Sequence, residues 1–311
     1  LITHKLREIK EAADYCTIIR LGKYIGTVKV SDVDENALAS MMVGRNVNFN
    51  VEKPEMEPGE VVLEIKDLHG VDYRGVEILK GLSLNVRRGE ILGIAGIDGN
   101  GQTELAEIIT GLRKATKGEV LVGGYDVCNK PPRVGFEHGV SSIPADRQKH
   151  GLVLEFSVAE NMILQNYAEP EFSHHGILNK ENILKYASDA VEKYDIRPRG
   201  CALRPAGTLS GGNQQKVIIA REVNNNKDLL IAFNPTRGLD VGAIEYVHRY
   251  LVEQRNKGKA VLLISFELDE IISLSDRIDT IFDGKIVGSM SGKDADENTL
   301  GLMMAGGKRN G

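Results

Sequence analysis

The chain has 311 residues, 41% of them apolar and 27% charged, so it can bury a sizeable core and is neither disordered, collagen-like nor a coiled coil. A formal charge of −5 shows no basic excess for nucleic acid, and 5% aromatics with no Trp argues against a base-stacking surface. Cys16, Cys128 and Cys201 are odd in number and far apart, which excludes a disulfide framework and a zinc site of the usual spacing and fits a reducing compartment.

No apolar run approaches the roughly 20 residues that cross a bilayer. The first residues, starting at Leu1, do not read as a signal peptide, and the start reads as a cut through something longer. They match the end of the chain: Leu1-Ile2-Thr3-His4-Lys5-Leu6-Arg7-Glu8-Ile9 lines up without a gap on Leu263-Ile264-Ser265-Phe266-Glu267-Leu268-Asp269-Glu270-Ile271. At the same offset Asp14 falls on Asp276, Gly22-Lys23 on Gly284-Lys285, Gly26 on Gly288, Asp34-Glu35-Asn36 on Asp296-Glu297-Asn298, and Met41-Met42 on Met303-Met304. A duplicated module of about 260 residues explains this, with the tail of one copy followed by the whole of the next. The expected organisation is a tail at 1–49, a linker at 50–60 carrying Pro54, Pro58 and four glutamates, and a full module at 61–311.

Within that module Val61–Ile65, Leu82–Val86 and Ile91–Ala95 are predicted strands, and Thr103–Thr110 a helix stopped by Gly111. Glu119–Val122 is a short strand. A polar helix, Glu181–Tyr194, lies in a separate segment at about 145–225. A helix near Gln214–Val223, a buried strand Leu229–Phe233, a helix Ala243–Arg255 and a strand Ala260–Ser265 follow. Short apolar strands alternating with helices indicate an α/β fold with a mainly parallel sheet.

The strand Ile91–Ala95 runs into Gly96-Ile97-Asp98-Gly99-Asn100-Gly101-Gln102-Thr103, the spacing of a phosphate-cradling loop with Gln102 in place of lysine. Its glycines let N–H groups turn toward phosphate, and Thr103 sits where a hydroxyl would meet Mg²⁺. The other reading is a Gly-rich turn. Asp98 and Glu104 add negative charge beside it, which weakens phosphate binding.

Leu209-Ser210-Gly211-Gly212-Asn213-Gln214-Gln215 precedes an apolar helix. This resembles the signature of ABC-transporter ATPases; a turn in which Ser210 caps the helix would not require the flanking Leu and Asn-Gln-Gln. Pro235-Thr236-Arg237-Gly238-Leu239-Asp240 looks like the segment after a Walker B strand, ending in a D-loop aspartate. Tyr73 resembles the aromatic that stacks on adenine, or is a plain surface tyrosine. Gly99 to Glu104 and Pro144-x-Asp146-Arg147 are similar to the double-module ATPases of sugar and nucleoside importers, nearest the second module of nucleoside (basic membrane protein-type) importers. The resemblance implies a P-loop fold of the ABC ATPase type with an antiparallel β part and a helical subdomain. It implies ATP and Mg²⁺ as cofactors and a peripheral place on the cytoplasmic face of the membrane. The partners implied are a first nucleotide-binding module in the same protein, two permeases and, indirectly, a substrate-binding lipoprotein, with no nucleic acid.

Five positions depart from that family's pattern. Gln102 stands for the Walker A lysine, Phe233 for the Walker B aspartate and Asn234 for the general-base glutamate. Phe266 stands for the switch histidine, whose repeat partner is His4, and Ala145 for the Q-loop glutamine. Gln102 brings no positive charge, Phe233 cannot hold a metal-bound water, and Asn234 cannot take a proton from attacking water, a service worth typically about 10²–10⁴ in rate. The expectation is asymmetry: a degenerate site on this P-loop, and a competent site in which Leu209, Ser210, Gly211, Gly212, Asn213 and Gln214, with Asp240, face ATP held by the first module beside His4. The alternatives are a pseudo-ATPase kept for dimerisation, regulation and permease docking, and a non-transport ABC ATPase acting on ribosomes or DNA. His174-His175 reads as a solvated loop, Arg113 and Lys114 as charges serving a helix end, and the two Met pairs as core of short terminal helices.

Overall fold

The structure is a computed structural model and describes residues 1–3, 5–20, 22–46 and 53–307. It contains α1 (Leu6–Ala12), β1 (Tyr15–Arg20), β2 (Lys23–Lys29), α2 (Glu35–Val43), β3 (Val61–Val71), β4 (Glu77–Arg87), β5 (Ile91–Ala95), α3 (Gln102–Ile109), β6 (Lys117–Val122), β7 (Tyr125–Asp126), α4 (Pro132–Glu137) and β8 (Val140–Ile143). The chain continues through α5 (Val158–Met162), β9 (Ser173–His174), β10 (Ile177–Leu178), α6 (Lys180–Lys193), α7 (Gly211–Asn224), β11 (Leu229–Phe233), α8 (Val241–Asn256), β12 (Ala260–Ile264), α9 (Leu268–Leu274), β13 (Arg277–Phe282), β14 (Lys285–Ser291) and α10 (Glu297–Met304).

Two compact units form: residues 1–52 with 236–250, and residues 53–235 with 251–311. Residues 236–250 group with the N-terminal segment, and Lys53 to Glu60 with the larger unit. Lys53 explains the latter. Its ammonium donates to the Leu274 and Ser275 carbonyls at 3.0 and 2.7 Å and pairs with Asp276 at 3.2 Å. Arg255 also grips Asp276, and it donates to the Pro54 carbonyl at 2.6 Å.

The larger unit holds a six-stranded sheet in the order β14-β13-β5-β12-β11-β8, parallel except for β14. Its central strands are buried on both faces, which is why Leu229–Phe233 and Ala260–Ile264 read as unbroken apolar runs. A four-stranded antiparallel sheet, β4-β3-β6-β7, packs its Leu63, Ile65, Leu68, Leu79 and Val120 into the same core as Leu92, Ile94, Leu105 and Ile108. The strands β3 and β4 outrun their predicted ends, because register shifts at Ile65/Leu68 and Leu68/His69 interrupt the alternation used to bound them.

The smaller unit repeats part of the larger one. Its α1, β1, β2 and α2 match α9, β13, β14 and α10 at the offset that takes Leu6 to Leu268. The irregularity between Ile18 and Ile19 recurs between Thr280 and Ile281. Asp34 caps α2 through the Ala37 N–H, and Asp296 caps α10 through the Thr299 N–H. The sequence matches acquire reasons: Met41 lies over Gly26 as Met303 lies over Gly288. Gly44 and Gly306 both end their helices with positive φ, one covered by the Arg20 guanidinium and the other by the Phe282 ring.

Candidate functional site

Strand β5 delivers the Gly-rich loop and α3 leaves it. Gly101 occupies the left-handed region at φ 106° as the residue before α3, and a Cβ there would lie 2.6 Å from Leu79. Gln102 is 1% exposed and folds back onto the loop. Its Nε2 donates to the Ile97 carbonyl at 3.0 Å, and its Oε1 accepts the Asn100 N–H at 3.2 Å. The neutral amide therefore occupies one of the loop N–H groups that a phosphate would use. Asn100 is committed too: it donates to Ile97 O and accepts the Asp283 N–H at 2.7 Å. Asp98 is exposed, while Thr103 and Glu104 are half-buried in the first turn of α3.

At the end of β11, Phe233, Asn234 and Phe266 meet one another. The rings of Phe233 and Phe266 stand edge to face with centroids 6.0 Å apart. Asn234 lies between them in sequence space and in contact: its Oδ1 accepts the Phe266 N–H at 2.9 Å, and its own N–H donates to Ile264 O at 2.7 Å. It adopts φ 43°, a left-handed conformation that Asn tolerates. Its Nδ2 is buried without a partner. These residues do not fit a divalent cation. Thr103 offers one hydroxyl, Phe233 offers a ring, and no group of three His, Cys, Asp or Glu that could hold a metal forms among the described residues.

The signature segment is built differently, with each amide of Asn213-Gln214-Gln215 assigned a task. Asn213 donates to Ser210 Oγ at 2.9 Å and accepts the Arg197 N–H at 2.7 Å. Buried Gln214 donates to Ala206 O and accepts from Gln148. Buried Gln215 donates to Pro235 O at 2.7 Å, joining α7 to the segment after β11. Ser210 occupies the residue before α7, as expected, but its hydroxyl caps no backbone N–H; it bonds Asn213 instead. A Cβ on Gly211 would lie 2.7 Å from the Arg147 guanidinium, so a larger residue there would make that arginine shift. Asp146 accepts the Lys149 and Gln148 N–H groups, Lys149's being the larger influence holding its carboxylate below the usual range. Asp240 accepts the Ala243 N–H at 2.9 Å and so caps the start of α8.

The P-loop residues come together around α3, and Leu209 to Gln214 around the start of α7. Ala145 lies in the loop after β8, half-buried. Tyr73 projects outward from a turn that Asp72 holds through the Arg74 and Val76 N–H groups. His4 lies outside the described residues. Arg113 differs from its expected role: it pairs with Glu107 at 2.7 Å and donates to Val71 O, tying α3 to β3 rather than serving the helix end. Sequence reasoning missed the bracing by Asn213, Gln214, Gln215 and Arg147, and only the run of three amides after Gly-Gly hints at it.

A model described as ABC transporter matches residues 79–237. The nucleoside import ATP-binding protein NupA of Lactococcus lactis is 52% identical over 310 residues, covering 100% of this chain and 61% of that protein. The guanosine import ATP-binding protein NupO of Bacillus subtilis is 52% identical, covering 96% of this chain and 59% of that protein. The glucose import ATP-binding protein TsgD13 of Haloferax volcanii is 45% identical, covering 98% and 56%. The chain therefore spans well under two thirds of the length of these relatives. An ATP-binding cassette of an ABC transporter in its ADP conformation shares the fold at a TM-score of 0.65 and 23% identity, over 80% of this chain and 100% of that one. A nucleotide-free cassette does so at 0.64 and 23% identity, over 78% and 95%.

Proposed function

The chain belongs to the ABC transporter family, and on that basis we propose that it is the second nucleotide-binding module, preceded by the tail of a first, of an ATP-binding subunit that drives import of a nucleoside or sugar. The reading of residues 1–49 as such a tail is supported by exposure. Ile19 is 69% exposed, whereas its repeat partner Ile281 is 0% exposed, because β13 lies between β5 and β14 and β1 pairs only with β2 among the described residues. A first module would supply the missing neighbour strand. It would also contribute His4; two residues on, Leu6 packs beside Val241, the residue after the D-loop aspartate Asp240.

This module serves the competent site from outside. One contrast carries the reading: Ser210 is exposed and braced by Asn213, while Gln102, Phe233, Asn234 and Phe266 are taken up by one another and by neighbouring backbone. The Ser210 hydroxyl and the first N–H groups of α7 suit the phosphates of ATP bound to the first module. The P-loop of this module hydrolyses poorly, since it lacks the ammonium, the carboxylates and the histidine; Thr103 alone is a weak Mg²⁺ contact. Among the described residues no helix is long and apolar enough to cross a membrane, so membrane attachment would come through permease subunits at the cytoplasmic face, served by a substrate-binding lipoprotein. The chain alone would turn ATP over slowly.

The Phe233–Phe266 contact favours a second reading, a pseudo-ATPase module kept for dimerisation, regulation and permease docking. ATPase assays on the full-length product separate the two. Loss of turnover in Ser210→Arg with retention in Gln102→Ala supports the first. Turnover that survives Ser210→Arg supports the second, and the opposite pattern of losses overturns the assignment of the sites.

A further inference from the structure

Beside the signature lies an open cavity of about 500 Å³ lined by Arg197, Pro198, Arg199, Thr208, Leu209, Ser210 and Asn213. No carboxylate belongs to this lining. Both arginines are tethered from behind: Arg197 Nε meets Asp195 at 3.0 Å, and Arg199 Nε lies 3.7 Å from Glu192. Each of these contacts is made by Nε, and each guanidinium carries two further nitrogens of the kind that grip phosphate. These are exposed pairs of the weak kind, easily exchanged for a stronger anion. Lys216 shares Asp195 at 3.1 Å, which leaves Arg197 less than a full counter-charge.

The cavity wall is held in place by one side chain. Asn213 accepts the Arg197 N–H and donates to Ser210 Oγ, so a single amide sets the arginine loop at a fixed distance from the signature serine. Because Ser210 Oγ accepts that bond, its own hydrogen remains to donate outward. Two arginines and a serine thus border one cavity, residue types suited to an acceptor-rich anion. Thr208 takes no part, since its hydroxyl donates to Pro205 O.

We propose that Arg197 and Arg199 bind the phosphates of the nucleotide that the signature faces, with Asn213 as the residue that positions them. The ligand class is a nucleoside polyphosphate. The inference rests on the reading that Ser210 completes a site of the first module. It adds a charged contact to that reading and gives the loop before α7 a function of its own.

The test uses the full-length product carrying Arg197→Gln, Arg199→Gln or both, with Ser210→Arg in parallel. Equilibrium binding of the fluorescent analogue TNP-ATP is measured across a range of salt, alongside KM and kcat for ATP. Each Gln variant is expected to weaken binding about tenfold and to raise KM with little change in kcat. The double variant is expected to lose much of the salt dependence of binding, and Arg→Lys to recover part of it. A purely structural role would move melting temperature and leave the salt dependence intact. Unchanged affinity and salt dependence in the Gln variants, with turnover abolished by Ser210→Arg, overturns the arginine contact and leaves the trans site standing. Turnover that survives Ser210→Arg overturns both.

Discussion

Phe233 and Phe266, 33 positions apart, meet edge to face with their ring planes at 82°. Neither ring offers a polar group, and each is the other's neighbour. Aromatic pairs of this geometry contribute about 0.5–1.5 kcal/mol beyond burial. A double-mutant cycle on Phe233→Ala and Phe266→Ala, read by denaturant unfolding, should return a coupling energy in that range. Strict additivity of the two losses would show that the rings act independently.

Restoring chemistry one residue at a time should fail. Asn234 is 7% exposed, holds φ 43° and accepts the Phe266 N–H, so Asn234→Glu strains the backbone and moves the acceptor one methylene away from that N–H. The expected loss is about 1–3 kcal/mol of stability with no gain in ATP turnover. Only the joint change of Gln102→Lys, Phe233→Asp, Asn234→Glu and Phe266→His should raise turnover by this module. A stable, active Asn234→Glu single variant would contradict the geometry of that corner.

Gln215 connects α7 to the segment after β11 through a buried bond to Pro235 O. Gln215→Ala leaves that carbonyl without its donor and should cost about 1–3 kcal/mol. Thermal melting of the variant against Gln214→Ala, whose amide bonds at 3.2 and 3.3 Å, should rank Gln215 as the more costly loss.

His69 sits between two carboxylates, Glu77 at 2.8 Å and Asp67 at 3.1 Å. Its hydrogen bond to Glu77 is the leading cause that raises its pKa above the ordinary 6.5, with Asp67 adding to it against a smaller opposing effect of burial. A raised folded-state pKa gives stability that is full below the ordinary value and fades as pH climbs through the folded one. Melting curves should therefore separate wild type from His69→Gln at about pH 6 and bring them together at about pH 9. A gap that widens with pH would reverse the assignment.

The legible parts of the fold were those with local causes. Strands β5 and β11 fell on their predicted residues because a two-sided burial leaves an unbroken apolar run. The Gly-rich loop declared itself by spacing, and the likeness of the elements at the two ends of the chain by ungapped matches. What stayed hidden depends on distant partners. Nothing in a local window says that Gln102 turns inward, that Arg147 leans on Gly211, or that Ser210 bonds Asn213 instead of capping α7. Register shifts in β3 and the grouping of residues 236–250 with the N-terminal tail are likewise tertiary outcomes.

The socket over the two helix-ending glycines is filled by a guanidinium at Arg20 and by a phenyl ring at Phe282. The two groups share flatness and little else. The two matched positions share a shape, and charge is the variable written onto it. The matched helices α2 and α10 thus keep the same cap and the same closing turn over different chemistry, so an Arg20→Phe variant should leave the end of α2 in place while removing a surface charge.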